Sequence, residues 1–306
     1  MSPPRAPSPF LKWAGGKRQL LPHILAAMPA RIETYFEPFI GGGAVFFALA
    51  TEGRFRRAVL GDENEDLIRC YQAIQRDVDA VVRVLKKHRY DEAYYYALRD
   101  LDPVELPAEE RAARLIYLNR CGYNGLYRVN SKGRFNVPFG RHRDPLICDE
   151  DNLRAVSEAL RRVELVHQDF ERTMRPATKE DFVYLDPPYV PLSSTASFTA
   201  YAKTPFGAAE QERLALLLAQ LGRRRVPALL SNSDCASTRR LYRELPVRTV
   251  AVRRAINSVG AGRGEVKELL VKSFTYDGDP SRRAKKSPWR ISTISRSSTK
   301  RASTPS

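Results

Sequence analysis

Short apolar runs alternate with amphipathic segments in the first 62 residues of the chain. The stretch from Tyr35 to Ala50 predicts a strand, a glycine turn and a helix. The apolar run Ala58–Gly61 predicts a second strand that ends at Asp62. A strand, a helix and a further strand in close succession are typical of a sheet with helical connections.

The same alternation returns in the second half of the chain. Strands are predicted in "RVELVHQDF", which ends near Asp169, and in "DFVYLDPPY" and "VPALLSNSD". The segment "GAAEQERLALLLAQLGRRR" has helical periodicity and is predicted to end at its glycine. The last two apolar segments, "TVAVRRAINSV" and "VKELLVKSF", could pair as a closing antiparallel hairpin. The pattern predicts an α/β fold with a doubly wound sheet covered on both faces.

The middle of the chain, from about Ile68 to Leu160, has a different character. Helical segments rich in charge and tyrosine, such as "DEAYYYALRDL", lead into the irregular stretch "YLNRCGYNGLYRVNSKGRFNVPFGRHR". Its glycines, asparagines, aromatic residues and arginines argue against a compact core element. We therefore expect residues 1–67 and 161–278 to form the main domain and residues 68–160 an inserted one.

The charge of the chain favours a polyanionic partner. Its 51 Lys and Arg residues outnumber 35 Asp and Glu, for a net charge of +16. Residues 279–306 hold eight basic residues and one Asp, rich in Ser and Thr and without apolar periodicity, and are predicted to be disordered. This basic tail either adds non-specific attraction to nucleic acid or is a solvated end.

Several classes of protein do not fit the composition. With 306 residues and 43% hydrophobic residues, the chain can bury a sizeable core, but no apolar run approaches membrane-spanning length. The start "MSPPRAPSPF" lacks the apolar region of a signal peptide, so we expect a cytoplasmic protein. The four cysteines are far apart and the histidines do not cluster near them, so neither a disulfide framework nor a metal site is expected.

The stretch "VYLDPPYVPL" carries the candidate chemistry. Pro187 and Pro188 cannot donate to a sheet ladder and stiffen the chain after the strand, which leaves a carboxylate, an outward carbonyl and an aromatic ring together. A strand that merely stops at a Pro-Pro turn is the alternative. One chemistry that such a group suits is methyl transfer to an exocyclic amine such as adenine N6. The lone pair of that nitrogen is delocalised into the ring, and two acceptors that hold the amine hydrogens would expose it. Asp186 and the Pro187 carbonyl offer that pair, and Tyr189 could stack on the base.

Glycines 41–43 permit a tight turn that approaches a ligand closely, although the match to GxGxxG is not clean and a purely structural turn is an alternative. Asp62 lies 19 residues after Gly43, the approximate spacing at which an acidic residue reaches ribose hydroxyls in nucleoside-binding α/β folds.

Taken together, these stretches resemble the Dam-type DNA adenine-N6 methyltransferases. The resemblance runs from about Phe10 to Phe274, in family order, through "FLKWAGGK", "FEPFIGGG", "GDENEDL", "NRCGYNGLYRVNSKGRFNVPFG", "HQDF", "DPPY", "PLSSTASFTAY" and "RRAINS". It implies a Rossmann-like, S-adenosylmethionine-dependent methyltransferase sheet. It also implies an inserted, mainly helical target-recognition domain that carries a β-hairpin, which accounts for the irregular middle of the chain.

The resemblance implies roles for individual residues in the catalytic domain. The catalytic group would be Asp186, Pro187, Pro188 and Tyr189. The S-adenosylmethionine site would comprise Trp13, Lys17, Glu37, Phe39, Gly41, Gly43, Asp62, Asp169, Phe170 and Asp186. Asp62 would bind ribose, and Asp169 with Phe170 would bracket the adenine of the cofactor. The alternatives are a core tryptophan at position 13, a solvated Lys17, and Asp62 as a helix N-cap.

The resemblance also implies DNA contacts, made by Lys12, Arg120, Tyr123, Asn124, Leu126, Arg128 and Pro138. Arg128 would read a guanine edge in the major groove, the commonest specific base contact. Tyr123 and Asn124 would insert into the duplex beside the orphaned thymine. The alternatives are that Tyr123 is an ordinary surface tyrosine and Arg128 a phosphate clamp.

The resemblance predicts a site-specific methyltransferase, monomeric and without a metal, that modifies adenine N6 in duplex DNA, with GATC as the target and with base flipping. Two alternatives stay open. One is methylation of another planar nitrogen, in RNA adenine or a protein glutamine, and the other is a non-catalytic DNA-binding regulator. Whether the protein acts alone or in restriction-modification is also open.

Overall fold

A single mixed sheet organises the protein. The computed structural model describes residues 5–130, 132–190, 206–253 and 265–275. Within them the strands are β1 (Ile32–Glu37), β2 (Phe55–Asp62), β3 (Val163–His167), β4 (Phe182–Leu185), β5 (Ala228–Ser233), β6 (Val247–Arg253) and β7 (Glu265–Lys272). Their order is β3-β2-β1-β4-β5-β7-β6, with β1 to β5 parallel and β7 antiparallel to both of its neighbours. The predicted α/β class and the closing hairpin of the last two strands are confirmed.

Helices connect the strands and form most of the middle of the chain. In the described residues they are α1 (Leu21–Ala26), α2 (Ala44–Thr51), α3 (Glu65–Leu85), α4 (Glu92–Asp100), α5 (Ala108–Cys121), α6 (Glu150–Ala159), α7 (Phe170–Met174), α8 (Ala208–Arg223) and α9 (Ala236–Leu241). Side-chain caps begin several of them, as where Asn64 accepts a hydrogen bond from the Leu67 N–H at the start of α3. None of the helices that the structure places has the length and apolar character needed to cross a bilayer.

Both faces of the sheet are buried, as the sequence predicted. On β4, Phe182 and Tyr184 belong to the apolar cluster beneath α1, α2, α3, α5 and α6, whereas Val183 and Leu185 belong to the cluster beneath α7 and α8. Alternate residues of a strand point to opposite faces, so a strand buried on both sides reads as a continuous apolar run. This burial explains why "FVYL" shows no alternation.

The strand order reverses direction between β1 and β4. From β1 the chain goes outward to β2 and β3, and from β4 it goes to β5 on the other side. In such sheets the crevice at the carboxyl ends of the strands on either side of the reversal is the usual ligand site. Glu37 ends β1, Asp62 ends β2 and Asp186 follows β4, so three carboxylates lie at this edge.

One predicted boundary is wrong. Helix α8 does not end at its glycine, because Gly222 lies within the last turn and the helix continues to Arg223. A Cβ added at Gly222 would lie 2.5 Å from the Ser273 carbonyl oxygen. The left-handed backbone conformation after the helix is taken by Arg225, with φ of 61°. The glycine therefore permits close packing against the segment after β7.

The middle of the chain combines helices with an irregular loop. Helices α3, α5 and α6 share the apolar cluster of β1 and β2, and a separate aromatic cluster forms around Tyr95 and Tyr117. Residues 122–140 fold back on themselves through isolated antiparallel bridges, Gly122 with Phe139 and Val129 with Phe135, and not as continuous strands. The domain division at 68 and 160 stays a prediction, with residue 68 lying inside α3.

Some predictions lie outside the described residues. They concern the loop "PLSSTASFTAY" after "DPPY", most of the late segment "RRAINS", and the basic tail at 279–306.

Candidate active site

The carboxylate of Asp186 is held from two sides. Its Oδ2 lies 2.8 Å from the Lys17 ammonium, and its Oδ1 accepts a hydrogen bond of 2.9 Å from the Ser231 hydroxyl on β5. Ser231 in turn shares a hydrogen bond of 2.9 Å with the Tyr184 hydroxyl. Burial raises the pKa of Asp186, and the Lys17 ammonium opposes that rise. The carboxylate is thus fixed in orientation beside a cation.

The chain after Asp186 is tethered to α8 and β5. The Pro188 carbonyl accepts a hydrogen bond of 2.8 Å from the Gln211 side chain. The Val190 N–H donates to the Asn232 side chain at 3.2 Å, and the Val190 carbonyl accepts from the Ser233 hydroxyl at 2.7 Å. Residues 186–190 therefore have a defined path, which a bare Pro-Pro turn would not require.

Tyr189 is anchored by the last strand of the sheet. Its hydroxyl donates a hydrogen bond of 2.8 Å to Glu268 on β7, and its half-buried ring lies 4.7 Å from the Lys17 ammonium. The hydrogen bond fixes the far end of the side chain, and the cation contacts one face of the ring. The ring thus lies beside the cation that pairs with Asp186.

Lys17 is buried, with 6% of its surface exposed, so the solvated-lysine alternative is wrong. Besides Asp186, its ammonium donates to the Gly15 carbonyl at 2.5 Å. Charged groups are buried only when they are paired, and here the partner is the candidate catalytic carboxylate.

The glycine turn after β1 is closely packed against Trp13. Gly41 has φ of 47°, and an added Cβ would lie 2.9 Å from the Trp13 ring. Gly43 has φ of 72°, and its Cβ would lie 2.9 Å from the Tyr71 hydroxyl, which donates to the Gly41 carbonyl. Both positions thus need glycine, for conformation and for space. Trp13 is half-buried and covers the turn, so it is not an ordinary core residue.

Asp62 caps this turn and not the following helix. Its Oδ2 accepts from the Gly41 N–H at 3.2 Å and its Oδ1 from the Asn64 N–H at 2.9 Å. Burial raises the pKa of Asp62 to about 6, against the opposing effect of these two hydrogen bonds. Since Asn64 is the N-cap of α3, the helix-cap alternative for Asp62 is wrong. Glu37 is also buried, and accepts from the Tyr35 hydroxyl at 2.8 Å.

An aromatic cluster lies between the ends of β1 and β3. The rings of Phe39 and Phe170 stack at 5.3 Å, and Phe206 packs edge-on against Phe39 at 5.7 Å. Arg213 on α8 lies 4.3 Å from the centre of the Phe170 ring and forms an ion pair with Asp169. Asp169 and Phe170, the residues predicted to bracket adenine, thus share one arginine partner.

Five of the seven predicted DNA-contacting residues lie exposed on the loop 122–140, and the other two, Lys12 and Arg120, lie outside it. Tyr123 and Leu126 are 53% and 37% exposed, and Asn124 adopts φ of 55° between them. The exposed Arg128 guanidinium lies along the loop, where it donates to the Asn136 side chain at 2.8 Å and the Asn136 carbonyl at 3.1 Å.

A basic cleft of about 500 Å³ continues from this loop, lined by Lys12, Arg120, Arg141, His142, Arg143, Asp144, Pro145 and Leu146. Arg120 is held there by a hydrogen bond of 2.7 Å to the Phe10 carbonyl. A concave surface with four cationic side chains suits a phosphate backbone. Pro138 lies on the loop itself, where its carbonyl accepts from the Tyr123 N–H at 2.9 Å.

Sequence reasoning missed several side chains of the site. Ser231 contacts Asp186 and Glu268 contacts Tyr189, while Phe206 and Arg213 contact the aromatic cluster. The polar run "SNSD" at the end of a buried strand could have indicated Ser231, since such residues reach the ligand edge of a parallel sheet. Glu268 carries no such signal, because its position depends on the insertion of β7 between β5 and β6. Across the described residues, no group of three or more His, Cys, Asp or Glu side chains is arranged to hold a metal ion.

Comparisons with known proteins identify related chains. The model of the family described as D12 class N6 adenine-specific DNA methyltransferase matches residues 13–256. The chain is 40% identical over 274 residues to a Type II methyltransferase of Lactococcus lactis subsp. cremoris, covering 87% of this chain and 95% of that protein. It is 40% identical over 285 residues to a Type II methyltransferase of Methanocaldococcus jannaschii, covering 87% and 99%. It is also 40% identical over 266 residues to a DNA adenine methylase of Salmonella typhi, covering 85% and 93%.

Proposed function

The chain belongs to the D12 class of N6 adenine-specific DNA methyltransferases, and from that premise we propose that it methylates adenine N6 at GATC in duplex DNA, with S-adenosylmethionine as donor. We propose further that the adenine is rotated out of the helix, because N6 of a stacked base cannot be approached in line.

The observation that carries the proposal is the fixed carboxylate of Asp186 at the reversal of strand order. Lys17 and Ser231 each occupy one of its oxygens. A carboxylate oxygen has two lone pairs, so Asp186 can accept a further hydrogen bond from an amine. The Pro187 carbonyl follows directly in the chain and supplies the second acceptor.

In this mechanism the protein positions the amine of the base, and the amine nitrogen is itself the nucleophile. Asp186 and the Pro187 carbonyl accept the two N6 hydrogens, which turns the nitrogen lone pair outward, and the Tyr189 ring stacks on the extruded base. When bound, S-adenosylmethionine would supply the methyl group to this exposed lone pair, and the carbon–sulfur bond would be the one that breaks. The surplus N6 proton would then leave, and Asp186, whose pKa burial raises, would be the nearest acceptor in this arrangement.

The residues at the strand ends fit S-adenosylmethionine, which supplies a methyl group bonded to a sulfonium. Asp62 presents a carboxylate beside the glycine turn, suited to ribose hydroxyls. The Phe39 and Phe170 rings offer flat apolar surfaces suited to a purine, with the Asp169 carboxylate beside them. Glu37 and Trp13 complete the proposed pocket.

Recognition of the target is proposed for the loop 122–140. Arg128 would read a guanine, Lys12 an outer guanine, and Leu126 with Pro138 the thymine methyl groups. Tyr123 and Asn124, exposed near the start of the loop just after α5, would fill the space that the extruded adenine leaves.

Mapping of methylated bases in DNA from cells that express the chain tests this proposal, since it gives the base, the position and the target together. We expect N6-methyladenine at GATC. Another target sequence would contradict the specificity, and the absence of N6-methyladenine would contradict the activity. Parallel assays on RNA and protein test the other planar nitrogens.

Asp186→Ala should abolish methyl transfer while cofactor binding survives, because the carboxylate that orients N6 is lost. Asp181→Asn is the matched control. Asp181 lies buried at the opposite end of the strand, where it accepts from the Thr34 N–H at 3.0 Å, so its loss lowers stability and spares the chemistry. Comparable methylation rates in Asp186→Ala and the unaltered protein would refute the catalytic assignment.

A further inference from the structure

Asn119, near the end of α5, has a fully buried side-chain amide whose described hydrogen bonds all go to two other segments. Its Oδ1 accepts from the Lys12 N–H at 2.8 Å. Its Nδ2 donates to the Lys12 carbonyl at 2.8 Å and to the Gly125 carbonyl at 3.0 Å. One side chain thus fixes both backbone polar groups of Lys12 and joins them to the turn at Gly125, near the start of the loop 122–140.

Packing supports the same junction. Gly125 has φ of 63°, and an added Cβ would lie only 2.2 Å from Cδ of Lys12, so the lysine side chain crosses directly over the turn. The ring of Trp13, the residue after Lys12, stacks on the ring of Tyr127, with 5.1 Å between their centres. The loop and the segment 10–17 therefore meet through hydrogen bonds and through two side-chain contacts.

The segment 10–17 reaches the cofactor site and the catalytic carboxylate at its other end. Trp13 packs against Gly41 of the glycine turn, and Lys17 pairs with Asp186 at 2.8 Å. Six consecutive residues, Lys12 to Lys17, thus contact the DNA-facing loop, the glycine turn and the acid that would orient N6.

We propose that Asn119 is a positioning residue that couples engagement of target DNA by the loop 122–140 to cofactor binding through the segment 10–17. This inference rests on the proposed roles of the loop and of the segment. Because the Asn119 amide group donates to Gly125 and to Lys12 at once, a displacement of the loop on DNA shifts the position of Lys12. DNA and cofactor then favour the same arrangement of the segment, so each increases the affinity for the other.

The coupling is measured as the ratio of two dissociation constants for S-adenosylhomocysteine, without DNA and with a saturating GATC duplex. For the unaltered protein we expect a ratio of at least about fivefold, within the usual range for coupled sites. For Asn119→Ala we expect a ratio close to one, with both constants measured where circular dichroism shows a folded protein. A merely structural role would lower stability without changing this ratio.

Asn152 provides a matched control. It is a second buried amide that clamps the start of the chain, since its Oδ1 accepts from the Ser8 N–H at 3.0 Å and its Nδ2 donates to the Ser8 carbonyl at 3.0 Å. It lies on α6, and its described hydrogen bonds go to Ser8 and Asp149 and not to the loop 122–140. Asn152→Ala should therefore keep the ratio of the unaltered protein.

Gly125→Ala alters the same junction through the loop instead of through α5. If Asn119→Ala does not fold, the ratio measured for Gly125→Ala provides the test. The added methyl group displaces Lys12, so the ratio should again approach one. The proposal is overturned if the folded variants keep the full ratio, if Asn152→Ala loses it equally, or if the unaltered protein shows none. Failure of the proposed function is seen separately, as an absence of N6-methyladenine in the mapped DNA.

Discussion

Two partly buried carboxylates on either side of β1 are held by different kinds of partner. Asp62 accepts hydrogen bonds from two backbone N–H groups, whereas Asp186 pairs with the Lys17 ammonium and accepts from Ser231. Around Asp62 the desolvation of the carboxylate outweighs the opposing effect of these two hydrogen bonds. The pKa of Asp62 is accordingly raised to about 6, close to the physiological range.

Cofactor binding should therefore depend on pH through Asp62. The raised pKa means that the carboxylate, the form that would accept the ribose hydroxyls in our proposal, is in the minority below pH 6 and predominates above it. From pH 5 to 7 the affinity for S-adenosylhomocysteine should rise by about tenfold. Titration calorimetry at several pH values measures it.

Asp62→Asn is the control for that pH dependence. The amide keeps the shape of the side chain and does not titrate, so we expect weaker binding with a flatter profile. Glu63 and His167 lie near Asp62 and are unchanged in the variant. An equally steep profile in Asp62→Asn would assign the titration to another group.

Arg128→Ala should relax selectivity at one base pair, at a cost of about 1–3 kcal/mol. Arg128 is fixed along the loop by Asn136, so its guanidinium has a defined direction for base contact. Methylation rates on GATC duplexes and on duplexes with single substitutions measure the effect. Arg134→Ala removes an exposed charge of the same loop and is the control. A uniform loss across all duplexes in Arg128→Ala would instead support the phosphate-clamp alternative.

At the scale of elements, the glycine turn between β1 and α2 can be compared with a second turn, after α2, that no side chain covers. Gly41 and Gly53 both adopt positive φ, of 47° and 61°. A Cβ at Gly41 would lie 2.9 Å from the Trp13 ring, whereas a Cβ at Gly53 would meet nothing within 4 Å. Substitutions at the two glycines therefore distinguish the effect of backbone strain, which both share, from the effect of crowding against Trp13, which occurs only at Gly41.

Gly53→Ala should cost about 1 kcal/mol of unfolding free energy and leave cofactor affinity unchanged. Gly41→Ala carries the same strain and must also displace Trp13, so it should lower the affinity for S-adenosylhomocysteine by tenfold or more, as in a loss of about 1.4 kcal/mol. Denaturant unfolding and calorimetry measure the two quantities. Equal cofactor affinity in the two variants would contradict a role for Trp13 in the pocket.

Elements whose signals are local could be predicted from the sequence, and those that depend on tertiary contacts could not. The strands ending at Asp62 and before Asp186 are apolar runs bounded by polar or proline residues, which local patterning specifies. The glycine in α8 does not mark the end of the helix, because Gly222 allows close packing against Ser273, which is 51 residues away in the sequence. The position of Glu268 beside Tyr189 likewise arises only when β7 joins β5.

At the scale of the whole molecule, the net charge of +16 favours DNA through long-range attraction. Binding to duplex DNA should weaken by about a thousandfold between about 50 and about 200 mM salt, as expected when several phosphates are neutralised. The slope of the logarithm of the binding constant against that of the salt concentration measures the number of ionic contacts.

Removal of residues 279–306 separates the two alternatives for the basic tail. We expect the slope to stay the same, because the basic cleft around Lys12 and Arg120, which we propose to contact the phosphates, is lined by residues outside the tail. A shallower slope in the truncated protein would show that the tail contributes ionic contacts. In both cases the full chain is the reference, at equal salt and duplex length.

The insertion of β7 between β5 and β6 imposes an order on biosynthesis. β5 gains its outer neighbour only from β7, the last described strand, and β6, although made earlier, reaches the sheet only by pairing with β7. Tyr189 also obtains its Glu268 partner from that strand. A nascent polypeptide still short of residue 265 thus has an unfinished sheet and an unanchored tyrosine, so we expect a prematurely terminated product to lack the proposed activity.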